Sequence, residues 1–229
     1  MVKAWDEEEG MAIVRKCWTE EVFSYEGRRW QLQDVRGYPK PLQKPRPPMY
    51  PVTQTDASMD RTARMGIHAC GQGGSGPTAA LGDKAVWQAW LRRWHAALAK
   101  YGRKPEAFKT NTFGTCFITD DPEKAWAKHR AALFYTATYR RFNGTQPYLR
   151  RYGDGRPLDK PEDLPGWQTY FRMPAECVRH LRETFSESAP DELLISADRA
   201  GMPWDDTLEY FRPLAEKVLP QLQDLALAK

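Results

Sequence analysis

The sequence predicts an α/β fold in which the chain supplies about the last four βα units of a (β/α)8 barrel, a half-barrel. Three observations lead there. Short apolar segments that read as strands alternate with longer ones whose apolar residues recur every three or four positions, as in βαβ units around a parallel sheet. Four such strands are expected, at 49–53, 67–70, 108–118 and 192–197. The 229 residues approach the roughly 250 of a complete eight-stranded barrel. Yet the first 48 residues contribute no parallel strand. Residues 1–229 are read as one domain part, with 1–48 forming a helix, a hairpin and a proline-rich connector within it.

The first of these helices is expected over residues 4–19, with Trp5, Ile13, Val14, Cys17 and Trp18 on a buried face and an acidic first turn. A β-hairpin follows at 22–33, where Glu26 and Gly27 separate Phe23 and Tyr25 from Trp30 and Leu32. From Arg36 to Pro48 the chain reads RGYPKPLQKPRPP, with five prolines that favour an extended path. It reads as a stiff connector into the next strand; a ligand for an SH3-like partner is the alternative.

The run from Pro47 to Gly66, PPMYPVTQTDASMDRTARMG, organises the rest. It reads as a strand at 49–53, a polar turn carrying Gln54, Thr55, Asp56 and Ser58, and a helix stopped by Gly66. Such a turn aims unpaired amides and the positive end of a helix dipole at one point, where an anion, most often a phosphate, can sit. A plain helix cap is the other reading.

After the strand at 67–70 and the segment GQGGSGP comes a helix over 83–101, with Trp87, Trp90, Leu91, Trp94, Leu98 and Tyr101 on one stripe that should pack against the sheet. The strand at 108–118 leads through TDDPEKAW, with Pro122 at the first helical position, into a helix running to Phe142. Residues 143–170 read as irregular. Pro174 opens a helix bearing Val178, Leu181 and Phe185, and the strand ELLISA precedes a last helix with Leu208, Phe211, Leu214, Val218 and Leu219 on its apolar face, interrupted at Pro213.

Composition narrows the function classes. With 41% hydrophobic and 28% charged residues, no apolar run nears the eighteen or so residues of a membrane span, and MVKAWDEEEG is too acidic for a signal peptide. A cytoplasmic protein is expected. Cys17, Cys70, Cys116 and Cys177 are far apart without CxxC spacing or histidine partners, which argues for buried thiols and against zinc or a disulfide framework. The net charge of +4 is modest. His68, His95, His129 and His180 are isolated and read as surface or packing residues. No GxSxG, P-loop or paired-carboxylate motif is present.

Three segments carry a family resemblance: WTEEVFSYEGRRWQLQDVRGYPKPLQKPRPPMYP, then DKAVWQAWLRRWHAALAKYGRKPEAF with CFITDDPEKAWA, and finally DELLISADRAGMPWDDTLEYFRPLAEKVLPQL. They resemble the luciferase-like flavin-dependent monooxygenases, a family that includes deazaflavin-dependent oxidoreductases. The resemblance spans nearly the whole chain and implies the fifth to eighth strands of the family's TIM barrel, so that four earlier strands would have to come from elsewhere. It implies reduced FMN as cofactor, with the deazaflavin coenzyme F420 as the alternative, O2 as co-substrate and a small organic substrate. Gln54, Thr55 and Ser58 would bind the FMN phosphate. Asp56 departs from the pattern by placing a carboxylate there, and Arg172 and Met173 stand where relatives carry a glycine and a small hydroxyl residue. The polar residues that act on the flavin in relatives lie mostly on the early strands, so no catalytic residue is named.

The implied partners are a flavin reductase and either a second copy of the chain or a complementary half-barrel; no nucleic-acid or membrane partner is expected. The stretch 135–156 interleaves Arg140, Arg141, Arg150, Arg151 and Arg156 with aromatic residues, and a substrate lid, a solvated loop and single-strand binding use the same composition. Two function classes stand: a flavin-dependent oxidoreductase, N-terminally truncated and active once its barrel is completed, and a non-catalytic half-barrel.

Overall fold

The computed structural model describes residues 4–71, 83–142, 159–164, 170–197 and 199–226. Helix α1 (Ala4–Thr19) precedes an antiparallel hairpin of β1 (Phe23–Glu26) and β2 (Gln31–Val35). Trp30 lies in the turn, where its carbonyl accepts from the Gly27 amide at 2.9 Å. The buried face of α1 differs from the expected one. Val14 is exposed, while Asp6 and Glu9 are buried, because Glu9 accepts the Arg28 and Arg29 amides of the hairpin turn at 2.7 and 3.1 Å. Those bonds hold its carboxyl below the usual range against the opposing effect of burial, which is the largest single influence on it.

The parallel sheet consists of β3 (Ala69–Gly71), β4 (Thr110–Thr115) and β7 (Glu192–Ser196), in the order β3-β4-β7. The expected strand at 49–53 joins it by one parallel bridge, Val52 to Cys70. Pro51 has no amide to donate, so the backbone contact is confined to two bonds around Cys70: its amide to the Pro51 carbonyl and its carbonyl to the Thr53 amide. The expected strand at 67–70 starts two residues later because Gly66, at φ 64°, turns the chain out of helix α2 (Asp56–Met65) and leaves Ile67 and His68 as a lead-in.

The strand expected at 108–118 is split at Cys116. Phe108 closes a 3-10 turn (Pro105–Ala107), and β4 stays beside β7 as far as the bond from the Cys116 amide to the Ser196 carbonyl. Then β5 (Phe117–Ile118) pairs instead with β6 (Phe171–Arg172). That second parallel pair was not among the expected strands. Two bonds join the pair: Phe117 amide to Tyr170 carbonyl, 2.7 Å, and Thr119 amide to Arg172 carbonyl, 3.0 Å.

Helices α3 (Lys84–Lys100) and α5 (Pro174–Thr184) pack on the sheet as their stripes predict, and α4 (Pro122–Phe142) starts as expected, with Asp121 accepting the Lys124 amide. Trp87, Trp90, Trp94 and Leu98 are buried with Ala69, Cys116, Cys177, Val178 and Leu181 in one core. Trp87 stacks on Trp90 at 5.1 Å between ring centroids, and Trp90 on Trp94 at 6.3 Å. Gly71 makes this approach possible: a Cβ there would stand 2.8 Å from Trp87. A second core joins Phe117, Trp126, Leu133, Phe171 and Tyr210. The last helix, α6 (Trp204–Pro213), widens after Pro213 into one π turn (Leu214–Val218) and ends as 3-10 helix (Leu219–Ala226). Leu214 and Val218 are buried, but Leu208 and Leu219, assigned to the same face, are exposed.

Register places the two faces of the sheet. Ala69, Leu193 and Ile195 pack on the helices, so their neighbours Val52, Cys70, Asn111, Phe113, Glu192 and Leu194 lie on the opposite, inner face. The sheet is curved: Tyr50, on the 49–53 edge, reaches across to donate its phenol to Glu192 Oε1 on β7 at 3.0 Å. Burial first, and then the Glu192 carboxylate, push the Tyr50 phenol up to about 12. On this inner face Val52, Phe113 and Leu194 are 51, 43 and 52% exposed.

Candidate functional site

The three predicted phosphate ligands come together at the start of α2, beyond the C-terminal end of the 49–53 segment. Thr55 is the N-cap, with β-region backbone at φ −107° and ψ 157°. It forms a capping box with Ser58: the Ser58 amide donates to Thr55 Oγ1 at 3.2 Å and the Thr55 amide to Ser58 Oγ at 3.0 Å. Ser58 Oγ also donates to the Thr55 carbonyl at 2.8 Å. The hydroxyls that sequence reasoning assigned to a phosphate therefore face each other, and the Thr55 amide is occupied. By position, the Asp56 and Ala57 amides have no acceptor within the helix. Gln54 is exposed beside them.

Sequence reasoning missed Arg93. From α3 its Nε donates to Asp56 Oδ1 at 2.8 Å, and its Nη2 lies 3.5 Å from the Gln54 carbonyl. The carboxylate that would repel a phosphate is thus paired with a cation, rather than turned back to cap the helix. Trp90, one turn earlier, donates Nε1 to the Thr53 carbonyl at 2.6 Å. Together Trp90 and Arg93 dock α3 on the turn. An arginine on the polar side of a tryptophan stripe was the available signal, but its partner is 37 residues away.

At the ends of β4 and β7 on the same inner face, the Thr115 and Ser196 hydroxyls are 3.3 Å apart. Arg199 donates to both, through Nη2 to Thr115 Oγ1 and through Nη1 to Ser196 Oγ. Lower on the face, Asn111 Oδ1 is buried without a hydrogen-bond donor among the described residues. Burial pushes the Cys70 thiol up to about 11, which leaves it protonated and a poor nucleophile at neutral pH.

The histidines lie elsewhere. His68, at the other end of the sheet, accepts the Lys109 amide at 3.1 Å; His95 is exposed on α3; His129 is buried between α4 and α6; and His180 sits 3.4 Å from Thr184 on α5. Cys70, Cys116 and Cys177 are buried free thiols, and Cys17 is half-buried. Among the described residues there is no cluster that could hold a metal ion, and no helix is long and apolar enough to cross a membrane. Of the 135–156 stretch, Tyr135 is exposed on α4, and residues 143–158 lie outside the described residues.

A family model described as luciferase-like monooxygenase matches residues 7–180. No curated protein matches the chain. Among solved structures, the chain is similar to the monooxygenase RslO1 from Streptomyces bottropensis, at 21% identity and a TM-score of 0.59 over 93% of this chain and 60% of that one. It is similar to the coenzyme F420-dependent tetrahydromethanopterin reductase from Methanopyrus kandleri, at 13% identity and a TM-score of 0.59 over 95% and 63%. The oxygenating constituent of 3,6-diketocamphane monooxygenase from Pseudomonas putida, in complex with FMN, gives 20% identity and a TM-score of 0.54 over 93% and 62%. The chain thus spans about three fifths of the length of these structures, and the likeness is to a TIM-barrel-type α/β fold.

Proposed function

Because the chain belongs to the luciferase-like monooxygenase family, we propose that it is part of a flavin-dependent oxidoreductase acting on a small organic substrate. Residues 1–229 form the last four βα units of the barrel in this reading, and polypeptide from elsewhere supplies the other strands. The exposed Val52, Phe113 and Leu194 support this, since barrel interiors are filled by layers of such side chains from opposing strands. The orphaned Asn111 Oδ1 would find its donor there. The complement is a second copy or a different half-barrel, and a flavin reductase supplies reducing equivalents.

The observation that carries the assignment is the turn at Gln54, Thr55 and Ser58, which lies at the C-terminal end of its strand with Arg93 beside it. Active sites of such barrels sit at that end. The phosphate of FMN, or of the deazaflavin coenzyme F420, would accept from the first-turn amides of α2. Thr55 and Ser58 would turn their hydroxyls from each other to the phosphate, and Gln54 would donate alongside them. Arg93 offsets the charge of Asp56. Bound reduced flavin supplies the redox chemistry with O2, while the chain orients it and keeps water out.

Titrating FMN into the completed barrel tests this. Ser58→Ala should weaken binding by about 1.5–3 kcal/mol, the worth of one charge-assisted hydrogen bond, or roughly ten- to a hundredfold in Kd. Equal affinities would remove Ser58 from the site. A non-catalytic half-barrel is the second reading. It is favoured by the position of His68, which among the described residues is the histidine on the inner face and lies at its N-terminal end beside Tyr50, away from the phosphate turn. A completed barrel that binds FMN but consumes no O2 in the presence of a flavin reductase would decide for it.

A further inference from the structure

Three inner-face side chains meet at the N-terminal end of the sheet. Tyr50 and His68 stand two residues before Val52 and Cys70, and so share their face with Glu192 of β7. The half-buried His68 ring packs on Tyr50, at 5.0 Å between centroids and 34° between planes, and meets Phe108 edge-on at 6.5 Å. Its Nδ1 accepts the Lys109 amide at 3.1 Å, which requires the neutral ring with its proton on Nε2. Tyr50 in turn donates to Glu192 Oε1 at 3.0 Å. This set joins the 49–53 segment, the lead-ins to β3 and β4, and the start of β7. The 49–53 edge depends on it, because its backbone is tied to the sheet by the single bridge of Val52 to Cys70.

Charges of both signs face the ring. Burial is the largest influence and lowers the His68 pKa; the cations of Lys109 and Arg46 lower it further, and the carboxylates of Asp191 and Glu192 oppose them. A protonated ring carries N–H at both nitrogens. Nδ1 then faces the Lys109 amide donor to donor, and that bond is lost. Glu192 is the carboxylate on the same face, bonded to the phenol on which the ring packs, so the imidazolium competes with Tyr50 for it. We propose that His68 is a pH-sensitive latch on the 49–53 edge: neutral, it holds the N-terminal end of the inner face together, and protonated, it releases the Lys109 amide, draws Glu192 from Tyr50 and frees the edge. The latch is closed above about pH 6.5, the ordinary histidine value, and opens as the pH falls through the lowered folded value. It acts on an edge that faces the completing polypeptide and needs no flavin, so its fate is separate from that of the phosphate turn.

Hydrogen-deuterium exchange of the purified chain at pH 7.5 and 5.5, read by peptide mass spectrometry and corrected for the intrinsic pH dependence of exchange, tests the latch. On acidification, wild-type peptides covering residues 47–53 and 107–111 are expected to accelerate at least tenfold more than peptides of α3, which report the general loss of stability in acid. His68→Gln, whose side-chain carbonyl accepts the same amide but takes up no proton, should remove that excess. His129→Gln, in the other core beside Tyr210, should keep it. Tyr50→Phe, which has no phenol to hold Glu192, should exchange fast over 47–53 at both pH values, and with the wild type it carries the test if His68→Gln does not fold. The proposal is overturned by an equal excess in His68→Gln, by its loss in His129→Gln, by wild-type protection of 47–53 in Tyr50→Phe at pH 7.5, or by wild-type acceleration no greater over the two segments than over α3.

Discussion

His129 is 4% exposed, with its Nε2 3.6 Å from Asp206 Oδ2 and its ring 5.6 Å from that of Tyr210. Burial lowers its pKa, and the neighbouring Lys128 adds to this, outweighing the carboxylates of Asp206 and Glu209. The folded chain therefore declines a proton that the unfolded chain accepts near pH 6.5. The stability this contributes is complete above about that pH and is lost as the pH falls through the folded value. Urea unfolding at pH 7.5 and 5.5 should show the wild type weakening in acid and His129→Gln weakening less. Part of the effect should remain through His68, whose pKa is also lowered, mainly by burial. An identical loss in the variant would mean that His129 does not contribute. Single residues were also the hardest features to read from the sequence. The hydroxyls of Thr55 and Ser58 are visible there, but not that they bond each other. Arg93 and Arg199 show their roles only through contacts with residues 37 and 84 positions away.

Between elements, β3 and α3 form a close joint. A methyl group at Gly71 would stand 2.8 Å from Trp87 and 2.9 Å from Trp90, and these rings, stacked and buried, have little room to move. Gly71→Ala should destabilise the chain by about 1–3 kcal/mol, the usual cost of overpacking, measured as a fall in the urea midpoint at constant m-value. No fall would show that the stack slides freely. Much of this level was legible. The three-and-four spacing of Trp87, Trp90, Trp94 and Leu98 marked a helix face, Gly66 marked a stop, and Asp121 before Pro122 marked a start, because each acts through neighbours within a turn or two. The change of partner at Cys116 was not legible. Two residues of strand carry no period, and the choice between β7 and β6 as neighbour is made by chain more than fifty residues away. The early residues of α1 misled for a related reason, since Asp6 and Glu9 are buried by a hairpin whose turn amides bind Glu9.

At the scale of the whole molecule, the parallel sheet has β7 at one edge and the singly bridged 49–53 segment at the other. Tyr50 and Glu192 tie these edges across the N-terminal end of the inner face, while Val52, Phe113 and Leu194 remain open to water. Edges with unpaired backbone groups beside an apolar face favour association. Sedimentation of the purified chain should therefore show self-association at micromolar concentration, and a complementary half-barrel should compete with it. A monomer that binds FMN tightly and turns over substrate unaided would overturn the half-barrel reading. The stacked indoles also have an optical consequence. Three of the nine tryptophans form one coupled chromophore, and the middle ring donates to the carbonyl of Thr53, the residue before the phosphate turn. A flavin seated on that turn would lie within energy-transfer range of the stack, so the chain's own ultraviolet emission should dim as the cofactor arrives, giving a label-free measure of occupancy before any turnover.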